Sequence, residues 1–199
     1  MEFSKMRTIQ ITAYLLLALA ATQVLYTVLY IAKVDVPRQL LWGLEGVLFT
    51  ILIAFAGAAM VQAKNSLVGW SAIAFSAVLN VVQVSIGLTM FEPFREAANQ
   101  LDTLGAVAGS VVALSFMIYY AAKFLLGFAA LIFGMATIAK GNKLLGGLTV
   151  LAGVIAMLAN ATLIIFGRDG FLPSPVAGGS GVLATLLLAL CLMGTAQED

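Results

Sequence analysis

The sequence predicts an all-α integral membrane protein that crosses the bilayer about six times. Composition is the first reason. Of 199 residues, 62% are hydrophobic and only 10% are charged, against about 25% charged in a soluble domain. So few charges cannot cover a globular surface, and lipid is the simplest solvent for such a chain. The second reason is spacing. The apolar residues fall in runs of about 20 or more, the length that spans a bilayer, and short segments carrying Gly, Pro, Asn or Lys separate them.

The first helix is expected over 9–31. Lys5 and Arg7 precede it, and Ala18-Leu19-Ala20 resembles a signal-peptidase site. The apolar run continues to Ile31, too long for a signal peptide, so a retained helix is expected. It stops where Lys33, Asp35, Pro37 and Arg38 cluster. A second helix is expected over 40–62, ending at the polar turn Ala63-Lys64-Asn65-Ser66. A third covers 67–91. The most polar stretch, 92–102, follows and reads as a solvated loop. Its acidic residues Glu92, Glu96 and Asp102 fit no cation-binding loop pattern.

Segment 103–139 is apolar throughout except for Lys123. A turn near Tyr119-Tyr120-Ala121-Ala122-Lys123 would lack Gly, Pro, Asn and Asp. The segment therefore reads as one long helix, on the order of 55 Å. Two short spans are the alternative and would give seven crossings. Lys140-Gly141-Asn142-Lys143 is a second tight basic turn. A helix over 144–166 follows it. A Gly- and Pro-rich loop holding Arg168 and Asp169 leads to a last helix over 182–195, with an earlier start as the alternative.

An internal echo bears on the crossing count. At one constant offset Asn65 falls on Asn142, Leu67 on Leu144, Gly69 on Gly146, Phe94 on Phe171 and Trp42 on Tyr119. Direct duplication of a helical hairpin and chance similarity between apolar sequences both account for it. Duplicated hairpins in one orientation need two crossings between the two basic turns, so 103–139 would cross once. With six spans, Lys5, Arg7, Lys64, Lys140 and Lys143 share one side. The opposite side mixes Lys33, Arg38, Arg95 and Arg168 with five acids. The positive-inside rule then places both termini in the cytoplasm.

Several functions are disfavoured by what the chain lacks. The net charge is +1 and there is no basic tail, so nucleic acid is not an expected partner. There is no histidine, which excludes His-ligated haem, His-ligated zinc or copper, and an imidazole base. The single Cys191 cannot form an intrachain disulfide or a thiolate metal site alone. No phosphate-binding loop, dinucleotide fingerprint, nucleophile elbow or acidic metal cluster occurs. No catalytic residue, metal site or cofactor is expected, and the chain reads as a non-enzyme.

The residues singled out are polar groups at membrane depth. Glu45 is an acid inside an apolar run, where ionisable groups are functional candidates; the competing reading puts it at the interface beside Trp42. Lys123 is expected to snorkel to the headgroups beside Tyr119 and Tyr120, with pairing to Glu45 as the alternative. Trp42, Tyr119 and Tyr120 read as interface anchors. Gln23 lies deep in the first helix and needs a partner. Gly69, Ala72, Ser76, Asn80, Gln83 and Gly87 share one face, as do Gly146, Thr149, Gly153, Ala156 and Asn160. Both stripes suit close helix packing, and a ligand path lined by Asn80, Gln83 and Asn160 is the functional alternative. Gly105-x-x-x-Gly109 matches a helix-association motif.

Two functional expectations follow. The first is a structural or accessory subunit of a larger membrane assembly, partnered by lipid and by other subunits or copies of itself. The alternative is a small-solute or ion carrier using Glu45 and the amides. Chemistry on lipid is the weakest reading.

Overall fold

In lipid every backbone N–H and C=O must find its partner within the protein, which leaves the α-helix as the economical answer for a run of apolar residues. The computed structural model describes residues 3–34, 38–63, 65–167 and 172–195. Among them there is no strand, and six helices are long and apolar enough to cross a membrane. They are α1 (Lys5–Ile31), α2 (Arg38–Gln62), α3 (Leu67–Gln100), α4 (Gly105–Ala139), α5 (Lys143–Phe166) and α6 (Ser174–Thr195). Asp35, Pro37, Lys64, Arg168, Asp169 and Phe171, used in the sequence reading, lie outside the described residues.

Local chemistry sets the ends. Ser4 caps α1 by accepting from the Arg7 amide at 3.4 Å, and Asn142 caps α5 by accepting from the Leu145 amide at 3.2 Å. Gly141 takes a φ of +102° in the tight turn before α5, a conformation that suits glycine. Inside the helices, hydroxyls fold back on their own backbone. Thr12 donates to the Thr8 carbonyl at 2.9 Å and Thr149 to the Leu145 carbonyl at 2.7 Å.

Segment 103–139 crosses once. A short 3-10 turn, Asp102–Leu104, leads directly into α4, which is continuous for 35 residues, about 52 Å. Two boundaries differ from the sequence expectation. The stretch read as a loop after residue 91 continues α3 through Pro93 to Gln100. Its residues face solvent and favour helix, and Arg95 pairs with Glu92 one turn back. Helix α6 begins at Ser174 rather than 182, with Pro175 in the first turn, where no amide partner is needed. Two of its glycines, Gly178 and Gly181, pack against Tyr119 and Lys123 of α4.

Consecutive helices pack as antiparallel neighbours, and α6 closes the bundle by touching α1, α4 and α5. Thus α1, α2, α3, α4 and α6 form a ring, with α5 outside it against α4 and α6. Among the described residues α1 and α4 make no backbone contact across this ring. The start of α1, the two tight turns and the end of α6 lie at one end of the bundle; Gln62 donates to the Phe3 carbonyl at 3.2 Å there. That end is called the lower end below.

The α4–α5 seam is the closest approach. A Cβ on Gly153 would stand 2.6 Å from the Gly127 carbonyl oxygen, and one on Gly146 would stand 2.6 Å from that of Gly134. Backbone meets backbone at both places, as small residues permit. The stripe Gly146, Thr149, Gly153, Ala156 is therefore a packing face. Gly105 and Gly109 face open space with nothing near their Cβ positions, so that motif makes no contact within the chain.

Candidate intramembrane polar site

Counting 1.5 Å per residue from the lower end, Gln23, Glu45, Lys123 and Asn160 all lie about 24–27 Å up their helices. They form one layer. The centre of that layer is Lys123, which is fully buried. Its ammonium reaches across the ring from α4 and donates to the Gln23 Oε1 of α1 at 2.6 Å. It also lies 5.3 Å from the centroid of the Tyr119 ring, within range of cation–π attraction. The aliphatic stem of Lys123 packs against Gly181, where a Cβ would come within 2.8 Å of its Cδ.

Glu45 of α2 is also buried, at 7% exposure. It occupies the same layer as Lys123 and carries the opposite charge. The two charges do not touch: among the described residues the ion pair in direct contact is Glu92–Arg95. Three helices with separate backbones therefore place an amide, a carboxylate and an ammonium in one buried neighbourhood.

Aromatic rings lie one turn above. Tyr26 of α1 and Trp42 of α2 have centroids 5.6 Å apart, and Trp42 meets Phe91 of α3 edge-on at 6.0 Å. Gly87 makes room for Trp42, since a Cβ there would lie 2.5 Å from the ring. Tyr119 and Tyr120 continue the layer on α4, at 5.9 Å from each other, and the Tyr120 hydroxyl donates to Ser174 Oγ at 3.1 Å. Below the polar layer the centre of the ring is filled mainly by aliphatic and aromatic side chains, with the hydroxyls of Thr12, Thr149 and Thr185 turned onto their own helix backbones. Leu16, Leu19, Phe49, Leu52, Leu126, Leu188 and Leu192 form a fully buried floor contributed by α1, α2, α4 and α6.

The other amides hold helices together. Asn80 donates to the Ser76 carbonyl at 2.9 Å and to Ser76 Oγ at 3.3 Å, while that hydroxyl donates to the Ala122 carbonyl of α4 at 2.8 Å. Asn80 thus braces α3 against the turn that carries Lys123. Gln83 and Ser115 exchange hydrogen bonds further up the same seam, at 3.3 and 3.4 Å. Asn160 donates to the carbonyls of Ala156 and of Ala177 in α6, at 2.8 and 3.2 Å. Among the described residues its Oδ1 has no hydrogen-bond partner.

The structure therefore brings Gln23, Glu45 and Lys123 together, sets Asn80 beside them, and leaves Gln83 and Asn160 on other seams. Lys123 does not snorkel: α6 covers it. Nor do Tyr119 and Tyr120 form an outward belt. Tyr120 is 2% exposed and Tyr119 half-buried, and both pack inward. Trp42 is half-buried between Tyr26 and Phe91. Tyr26, Gly178 and Gly181 belong to the site, and the two glycines were not anticipated. A signal existed, because each polar residue has an aromatic three or four positions away on its own helix: Gln23 with Tyr26, Glu45 with Trp42, Lys123 with Tyr119 and Tyr120. Among the described residues no three Asp, Glu or Cys side chains converge. The donor set is one carboxylate, one ammonium, amides and hydroxyls, which suits recognition by charge and hydrogen bonds.

The chain matches no known protein family, and neither a curated protein nor a solved structure matches it.

Proposed function

We propose that this multi-pass membrane protein is a non-enzymatic carrier of a small solute or ion, with Glu45, Lys123 and Gln23 as its binding groups. One observation supports it above others: a fully buried ammonium and a buried carboxylate lie in one layer of the helix ring at membrane depth. Burying two charges is expensive, and an apolar pair of equal volume holds helices together as well or better. Stability alone gives no reason to keep them. Intramembrane ionisable residues of this kind mark ion or substrate pathways. The aromatic layer and the leucine floor fit a closed site, with the basic lower end and both termini on the cytoplasmic side.

Flux into proteoliposomes tests this reading. Saturable uptake of a labelled ion or small solute by the wild-type chain, reduced at least tenfold in folded Glu45→Gln, is expected. Equal flux through wild type, variant and protein-free vesicles overturns it.

A second reading, a subunit of a larger membrane assembly, is supported by one feature. The first 11 residues of α4, which carry no charge, run about 16 Å past the end of α5. There Gly105, Val107, Gly109 and Leu114 are exposed. The mass of the gently solubilised complex separates the readings: a lone monomer removes the subunit.

A further inference from the structure

The charge balance of this site points to a substrate class, an inference that rests on the carrier reading. Lys123 spends one of its three donors on the neutral Gln23 amide. The Glu45 carboxylate is buried in the same layer on α2. The two opposite charges are fixed on α2 and α4, whose backbones do not meet among the described residues. Each charge balances the other at a distance.

A ligand entering this layer changes that balance. A simple anion would neutralise Lys123 and leave Glu45 uncompensated in a low-dielectric setting. A simple cation would do the reverse. A molecule carrying both charges leaves the layer neutral and gives each buried group a direct partner. The surroundings favour one orientation. Tyr26 and Trp42 sit one turn above Glu45, 5.6 Å apart, and aromatic faces attract ammonium groups. The Lys123 ammonium, resting 5.3 Å from the Tyr119 centroid, already shows that pairing within the site. Leu19, Phe49, Leu52 and Leu126 close the centre of the ring beneath the layer, which leaves the aromatic side as the approach for a polar molecule.

We infer that the ligand is a small zwitterion, its ammonium or quaternary ammonium held by Glu45 beneath Tyr26 and Trp42 and its carboxylate held by Lys123. Removing one protein charge should then convert the site rather than merely weaken it. Glu45→Gln leaves a lone ammonium that prefers a simple anion. Lys123→Gln leaves a lone carboxylate that prefers a simple cation.

Competition in proteoliposomes of the full chain tests this. The probes are labelled glycine and glycine betaine, with acetate and tetramethylammonium as single-charge competitors. Saturable uptake of at least one zwitterion is expected, with acetate and tetramethylammonium each at least tenfold weaker as competitors. In Glu45→Gln, acetate should bind at least tenfold better than the zwitterion, and tetramethylammonium should do so in Lys123→Gln. Should the variants fail to fold, the wild-type competition decides alone. If a single-charge ion competes as well as the zwitterions, or protons or metal ions move and no zwitterion does, the zwitterion assignment falls while the carrier survives. If nothing is taken up saturably, both fall.

Discussion

A lysine with a four-carbon stem ordinarily keeps its charge in water. Lys123 instead lies at zero exposure because α6 presents Gly181 against its stem, where a side chain would collide. Removing one partner of a buried charge set leaves the other stranded, at a cost of about 3–5 kcal/mol. Lys123→Met should lower stability in detergent by that order. The double variant Lys123→Met/Glu45→Gln should recover at least half of the loss, and a thermal-unfolding comparison of the two checks it. Equal losses would mean that the charges do not interact. Gly181→Ala should destabilise by about 1–3 kcal/mol through overpacking against the Lys123 stem, measurable in the same assay. The candidacy of Glu45, Gln23 and Lys123 was legible, since polar groups in apolar runs stand out. The covering of Lys123 was not, because it depends on glycines some 55–60 residues away in the chain.

At the level of helices, small residues govern the distances. Gly127 with Gly153 and Gly134 with Gly146 bring the α4 and α5 backbones into contact. Gly153→Val should force them apart and lower stability by about 1–3 kcal/mol. Gly109→Val, placed on open surface, should change the stability of the isolated chain by no more than about 0.5 kcal/mol. If Gly109→Val nevertheless dissociates a purified complex, the subunit reading gains direct support. The α5 stripe was readable from its spacing of three and four, and the unbroken α4 from its lack of turn residues. The ends of α3 and α6 were not. Glu92 to Gln100 is polar enough for a loop but contains Glu, Arg, Ala and Gln, which favour helix, and the Gly-rich start of α6 is packed against α4 through Gly178 and Gly181 and bonded to α5 through Asn160.

Across the whole molecule, the ring of α1, α2, α3, α4 and α6 stacks an aromatic layer, a charged layer and an aliphatic floor. The crossing count follows from one long helix, and it sets both tight turns at one end. Cysteines placed singly at Asn65, Lys143 and Asp102 should report this in sealed vesicles. The first two should react with an impermeant thiol reagent from one side and the third from the other; all three reacting from one side would contradict six crossings. The layered core was beyond sequence reading, because helices that are apolar all round do not reveal which face turns inward.

The most direct measurement is saturable uptake by vesicles holding wild type, Glu45→Gln, Lys123→Gln, or the exchanged pair Glu45→Lys/Lys123→Glu. Uptake of the wild-type substrate should fall at least tenfold in each single variant and return in part when the charges are exchanged, since the layer is then neutral again. Single variants that fold and transport like wild type would show that the buried charges are structural and that the functional centre lies elsewhere.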